Sequence, residues 1–291
     1  MPEFVSERAL AWARCIDATY TIFEDPSAQK RYGALANSVK AAVDACSSAL
    51  DEYGDEHCAL SFNGGKDCTV IAHVLAAVLR RRAGYSEFGG VRAPNLSDAA
   101  YAHVPQLRTL YVSCDTPFPE VEKFIAYAKD AENGYNLSLY RAMAPMRAAL
   151  QQYLYGSDDK APGHGVKAIF LGVRHDDPYG SIVHVQCPTD NGWPSVMRVH
   201  PILTWSYNDV WQFLRCPTLT NGPPYEPECA SVGGGDVRCV PYCSLYDQGY
   251  TSLGSTFNTE KNPRLLDAAT HTYLPAYKLL DCAWERAGRA K

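Results

Sequence analysis

Residues 57–62 read His-Cys-Ala-Leu-Ser-Phe, a short apolar run followed by the polar, glycine-containing stretch Asn63-Gly64-Gly65-Lys66-Asp67. Residues 68–82 are then apolar up to Arg80, Arg81 and Arg82, which suit the negative end of a helix dipole. The pattern predicts a buried strand, a tight turn and a helix. It repeats: strands are expected at 107–113, 137–140 and 166–173, with helices at 118–133 and 144–155 between them. Two helices precede the series, at 6–22 and 27–52, the second read from Leu35, Val39, Val43 and Leu50 at a period near that of a helix. Alternation of this kind predicts an α/β fold with a mostly parallel sheet covered by helices on both faces. In such sheets ligands sit beyond the carboxyl ends of the strands. Three polar clusters fall there: 63–67, 114–115 and 174–177.

After residue 173 the pattern loosens. A strand is expected at 196–199 and a helix at 207–214. Residues 216–242 form a loop rich in Pro, Gly and Cys, and a turn-rich stretch from 246 ends in a short helix over 275–289. The expected organisation is a core of residues 1–215 and a loop-rich appendage, 216–291, that needs the core to fold.

Composition narrows the function classes. Across 291 residues, 46% are hydrophobic, enough for a sizeable core and incompatible with a disordered chain. Lys and Arg total 27 against 32 Asp and Glu, a net charge of −5, so no nucleic-acid partner is expected; small anions remain open. Residues 1–4 begin no secretory pattern, and the apolar stretch 69–79 is far short of the ~20 residues a membrane helix needs. The eleven scattered cysteines read as reduced thiols in the cytoplasm. Cys216, Cys229, Cys239 and Cys243 lie close together without a CxxC pair, leaving a metal role undecided.

Gly64-Gly65-Lys66 fails the Walker A pattern twice, at Leu60 and at Asp67. It can still bind phosphate: two glycines let backbone N–H groups face an anion, a helix N-terminus follows, and Lys66 adds a full charge. Ser61 and Asn63 can donate from the sides. The alternative is a strand-to-helix turn whose glycines serve packing.

Ser61-Phe62-Asn63-Gly64-Gly65-Lys66-Asp67 resembles the pyrophosphate-binding loop of the adenine-nucleotide alpha-hydrolase superfamily, a Rossmann-like fold that includes the PAPS reductase-like enzymes. Gly172-Val173-Arg174-His175-Asp176-Asp177-Pro178 resembles the flavin-site loop of eukaryotic-type FAD synthases (FMN adenylyltransferases). Asn191-Gly192-Trp193-Pro194, residues 198–205, residues 241–254 and Trp284-Glu285-Arg286-Ala287-Gly288-Arg289 follow in that family's order. Residues 83–106 and 216–239 look inserted.

The resemblance implies transfer of AMP from ATP to the phosphate of FMN, giving FAD and pyrophosphate by direct attack on the α-phosphorus. Mg²⁺ is carried mainly by the ATP phosphates, and the protein is expected to be a monomer with small-molecule partners and no membrane. Ser61, Phe62, Asn63, Gly64, Gly65 and Lys66 would hold the leaving phosphates. Asp115 would accept from ATP, or it simply forms the turn before Pro117. Asp67 would orient the loop or a metal-bound water, or else cap the helix. Gly172, Arg174, Asp177 and Trp193 would meet the flavin, Asp177 at the ring imide and Trp193 by stacking. Arg286 and Arg289, three apart on the terminal helix, would clamp two phosphates, with Asn63, Asp67 and Asp177 completing the catalytic set; without the resemblance they read as a solvated helix end. The alternatives are a sulfonucleotide reductase-like enzyme, which lacks its C-terminal nucleophilic cysteine here, and a non-catalytic flavin or nucleotide binder.

Overall fold

The computed structural model describes residues 5–87, 91–156, 161–178, 180, 184–219 and 240–290. Helix α1 (Glu7–Glu24) starts at Ser6, whose side chain accepts the Ala9 N–H. The single helix expected over 27–52 is two, α2 (Pro26–Tyr32) and α3 (Ala34–Tyr53). Gly33 separates them at φ 51°, a left-handed conformation that a helix interior cannot accommodate and that glycine adopts freely.

The series β1 (Cys58–Ser61), α4 (Lys66–Arg82), α5 (Asp98–Ala102), β2 (Leu107–Val112), α6 (Pro119–Lys129), β3 (Leu137–Ala142), α7 (Met146–Tyr155) and β4 (Ala168–Phe170) then follows. Strands β5 (Gln186–Pro188) and β6 (Met197–Val199), helix α8 (Tyr207–Leu214) and the small hairpin β7 (Leu266–Asp267) and β8 (Thr272–Tyr273) complete it. The main sheet has the order β3-β2-β1-β4-β6-β5. All its pairings are parallel except β5 with β6. The chain therefore leaves β1 in one direction for β2 and β3, and returns to its other side for β4. That reversal opens a crevice beyond the ends of β1 and β4.

Strand alternation divides the core. Cys58, Leu60 and Phe170 face the larger hydrophobic cluster with α1, α3, α4, α6 and α8, whereas Ala59, Leu110 and Ile169 face a smaller one beneath α7. Helix α4 lies inside the larger layer and is buried nearly all round, as its unbroken apolar sequence requires. From the C-terminal segment, Tyr242, Tyr246, Leu265, Ala276 and Leu279 join that same cluster.

Three departures from the sequence pattern have local causes. Strand β4 covers 168–170 rather than 166–173, because its partner β6 is three residues long and ends before the turn at Pro201. The segment after α4, which reads as inserted in the sequence, is tied down near Tyr85, Tyr101 and His103 by Arg80, whose side chain is buried. Its guanidinium pairs with Asp17 at 2.8 Å and donates to the carbonyls of Tyr85, Tyr101 and His103. The terminal helix over 275–289 does not form. Two 3-10 turns, Ala276–Lys278 and Cys282–Trp284, stand there, and 288–290 runs antiparallel against 258–260, with Glu260 N–H on the Gly288 carbonyl at 2.8 Å. A Cβ on Gly288 would collide with the Glu260 carbonyl, so this glycine permits the close pairing. Of the segment 216–239, residues 220–239 lie outside the described residues, and with them Cys229 and Cys239. Among the described residues no helix is long and apolar enough to cross a membrane.

Candidate active site

The loop after β1 turns at Gly64, φ +74°, where a Cβ would press Val121 and Ile125 of α6 at 3.2 Å. Asn63 then folds back: its Oδ1 accepts the Gly65 N–H at 3.0 Å and the Cys68 thiol at 3.1 Å. Helix α4 begins at Lys66 without a side-chain cap on its N-cap residue, Gly65. The Lys66 N–H donates instead to the Tyr246 hydroxyl, 2.9 Å away and 180 residues distant in sequence. Gly172, after β4, lies so close to this helix start that its Cβ would meet the Cys68 nitrogen at 2.9 Å. The loops after β1 and β4 therefore touch through a glycine.

Beside this contact lies a buried group of opposed charges. Lys66 Nζ is 2.9 Å from Asp67 and 2.5 Å from Glu285. Arg174 Nη2 takes both Glu285 oxygens, at 2.8 and 2.7 Å. Arg174 Nε is 2.8 Å from Asp67 Oδ1, though off the N–H axis, so this contact is an ion pair without an aligned hydrogen bond. Burial works against charge on Lys66, but Asp67 and Glu285 outweigh it and raise its pKa. Burial likewise raises Asp67, and Lys66 with Arg174 reverse that and lower it. Both groups are thus held charged. Asp177 accepts the Arg174 backbone N–H at 2.9 Å, and burial raises its pKa.

Two cavities open at the strand ends. One, of about 250 Å³, is lined among others by Ser61, Asn63, Gly65, Lys66, Gly172, Asp177, Tyr246 and Arg286. The other, of about 240 Å³, is lined by Tyr111, Val112, Cys114, Pro117 and Arg289 among others. Asn63 and Leu253 line both. Each cavity receives one of the two C-terminal arginines. Arg289 Nη1 donates to the Leu253 carbonyl at 2.5 Å, and its guanidinium occupies space that any Cβ on Gly254 would take. Burial, then the neighbouring Arg286, lowers its pKa. A larger cavity, about 440 Å³, is lined by residues of α1 and α2 with Arg81 and Glu87; none of its lining comes from the strand-end loops.

The structure thus gathers Ser61, Asn63, Gly65, Lys66, Asp67, Gly172, Asp177 and Arg286 at one cavity and Arg289 at its neighbour. Other expected residues are placed differently. The Phe62 side chain is fully buried against Phe124 and can offer only its backbone. The Arg174 guanidinium is engaged by carboxylates rather than turned to a ligand. Asp115 is exposed between two lining residues, Cys114 and Pro117. Trp193 sits 38% exposed in the turn between β5 and β6 and does not line either strand-end cavity. Arg286 and Arg289 reach their cavities from a turn and an extended strand, because the helix expected to carry them is absent. Tyr246 and Glu285 were not singled out by spacing: each meets the loop only through tertiary folding. Among the described residues no cluster of three or more His, Cys, Asp or Glu has the arrangement of a metal site, and Cys216 and Cys243 are buried free thiols.

Comparison with known proteins bears on this geometry. The model of the phosphoadenosine phosphosulfate reductase domain family matches residues 57–238. A protein of Schizosaccharomyces pombe and one of Caenorhabditis elegans, each named "Probable FAD synthase", are 32% and 35% identical. The first match covers 95% of this chain and 88% of the yeast protein. The second covers 83% of this chain but 38% of the nematode protein, so this chain corresponds to little more than a third of the nematode relative. Among solved structures, Candida glabrata FMN adenylyltransferase in complex with FAD and inorganic pyrophosphate superposes with a TM-score of 0.67 at 22% identity, covering 99% of each chain. The same enzyme with FMN and the ATP analogue AMPCPP gives 0.66, also at 22%, over 96% of each chain. At that identity the likeness is one of fold.

Proposed function

The chain belongs to the FAD synthase family, and on that premise we propose that it is an FMN adenylyltransferase, transferring AMP from MgATP to the phosphate of FMN to give FAD and pyrophosphate. The observation that carries the reading is the pair of cavities divided by Asn63 and Leu253, with an arginine in each. Such a partition suits a reaction at one phosphorus: the leaving pyrophosphate lies on one side and the adenosine end on the other. With the Gly65 and Lys66 N–H groups taken by Asn63 and Tyr246, the next backbone N–H groups of the first turn of α4 face the β- and γ-phosphates, and Arg286 adds charge in the same cavity. Arg289 approaches from the second cavity, so the two arginines grip one polyphosphate from both sides. On this reading residues 1–215 hold the nucleotide and 216–291 close over it.

The nucleophile needs little help. A phosphate monoester has its second pKa near ~6 and is largely dianionic at neutral pH, so FMN attacks without a general base. Catalysis is then alignment and charge neutralisation. Lys66 and Arg174 contribute by holding Asp67 and Glu285 in place rather than by direct contact. Mg²⁺ arrives on the ATP phosphates as part of the substrate. Of the three carboxylates, Asp67 and Glu285 are each gripped by cations, whereas Asp177 accepts one backbone N–H and has a loose ion pair at 3.9 Å with Arg174, and is the one able to reach a metal-bound water or a flavin imide. The nine described cysteines are free thiols, which suits a reducing compartment, and we place the protein in the cytoplasm.

The test is chromatography of a reaction with MgATP and FMN, with riboflavin or adenylyl sulfate in its place as controls. FAD with one equivalent of pyrophosphate is expected from FMN alone; bound FMN without FAD would reduce the protein to a binder. In the same assay Asp177→Ala should raise the KM for FMN about tenfold while leaving that for ATP within about twofold. Equal losses for both substrates would refute the flavin assignment.

A further inference from the structure

Tyr246 stands in a 3-10 turn, Ser244–Gln248, with its ring fixed against Trp211 at 5.3 Å and Tyr242 at 6.4 Å. The residue is 2% exposed, yet it lines the cavity that holds Ser61, Asn63 and Gly65. Its hydroxyl accepts the Lys66 N–H at 2.9 Å, and an added Cβ on Gly65 would lie 3.7 Å from that same oxygen. A phenol oxygen carries one proton to donate and two sites to accept. One accepting site is filled by the backbone of α4. Among the described residues no protein acceptor takes the proton, and burial holds the phenol's pKa well above its ordinary value, so the proton stays in place. The free donor therefore belongs to a rigid ring, at the start of a helix, on the wall of a cavity lined by Arg286.

We propose that Tyr246 is a pyrophosphate-binding residue: its hydroxyl accepts the first free N–H of α4 and donates its own O–H as a hydrogen bond to an oxygen of the leaving β,γ-diphosphate, the proton staying on the phenol. The assignment deepens the adenylyltransferase reading and rests on it for the identity of the anion. The hydroxyl serves as a relay, extending the helix terminus by one hydrogen bond into the cavity. It also explains why the loop lacks a capping side chain of its own at Gly65. A hydrogen bond to a charged acceptor in a half-enclosed site is worth about tenfold in affinity.

Tyr246→Phe removes the oxygen and keeps the ring. Magnesium pyrophosphate and FMN binding would be measured by calorimetry on wild type and variant, with thermal melting alongside. A loss of about tenfold for pyrophosphate with FMN affinity unchanged is expected. Pyrophosphate affinity within twofold of wild type, or equal losses for both ligands, would overturn the proposal and leave Tyr246 a purely structural support. Should the variant not fold, 3-fluorotyrosine placed at 246 keeps the hydroxyl. Its ¹⁹F resonance must then move with pyrophosphate at the dissociation constant found by calorimetry, and a resonance indifferent to saturating pyrophosphate would equally overturn it. A wild-type protein that binds pyrophosphate but forms no FAD would sink only the adenylylation reading, because the Tyr246 comparison needs no turnover.

Discussion

His73 shows how far a single side chain can stand apart from the chemistry around it. It lies in α4, seven residues past Lys66, fully buried between Trp12, Tyr135 and Phe213, with Nδ1 3.2 Å from the Tyr135 hydroxyl. Burial pulls its pKa from 6.5 down to about 3. The fold therefore contains a neutral ring, while the unfolded chain takes up a proton below pH 6.5. This contribution to stability is complete above pH 6.5 and is lost as the pH falls towards 3, by about 1.4 kcal/mol per unit across that window. Urea titrations between pH 7 and 4 should differ by that slope between the wild type and His73→Gln, the variant's being the shallower. Identical slopes would mean that the ring is protonated in the native state.

At the scale of elements, one carboxylate joins three of them. Glu285 holds Lys66 at the start of α4 and Arg174 after β4, while its own carbonyl accepts the buried Thr251 hydroxyl at 2.6 Å. Asn262 adds hydrogen bonds to Thr251 and to the Trp284 carbonyl, both at 2.8 Å. Glu285→Gln leaves two buried cations with Asp67 and only the looser Asp177 to face them, and removing one partner of a buried ion pair costs about 3–5 kcal/mol. A loss of that order in denaturant titrations is expected, with part of it recovered when Lys66→Met is added; strict additivity would show that the two side chains act independently. This joint also explains what the sequence could and could not disclose. The strands, the glycine turn and the parallel order follow from local patterns, since apolar periodicity and turn residues act over a few positions. The engaged Arg174 depends on a partner 111 residues away, the helix missing from 275–289 gives way to pairing with 258–260, and the break at Gly33 rests on one left-handed glycine inside an otherwise helical pattern. Spacing put Arg286 and Arg289 on one helix face; the pairing of 288–290 with 258–260 sends them to separate cavities.

Over the whole molecule, the two halves of the chain share a core. The largest hydrophobic cluster takes in Trp12 and Val39 near the start and Leu265 and Leu279 near the end, so the C-terminal segment folds against the helices that open the chain. Among the described residues the hydrophobic cluster on one face of the sheet draws on five helices, and that on the other face on α7. Among the described residues, Leu253, Arg286 and Arg289 of the C-terminal segment complete the two cavities at the strand ends, around the ridge they share at Asn63 and Leu253. That ridge has a thermodynamic consequence. On the adenylyltransferase reading ATP lies across the ridge, diphosphate on one side and adenosine on the other, and the joined dinucleotide likewise places a limb on either side, whereas FMN seats itself by one. Once one limb is seated, the other rebinds at the high effective concentration set by the tether, which can exceed either separate affinity by about 10²–10⁴. On that reading the product outstays FMN, and rapid mixing should release about one equivalent of pyrophosphate per protein before a slower steady state. A bivalent product makes departure, not bond formation, the pace of the cycle.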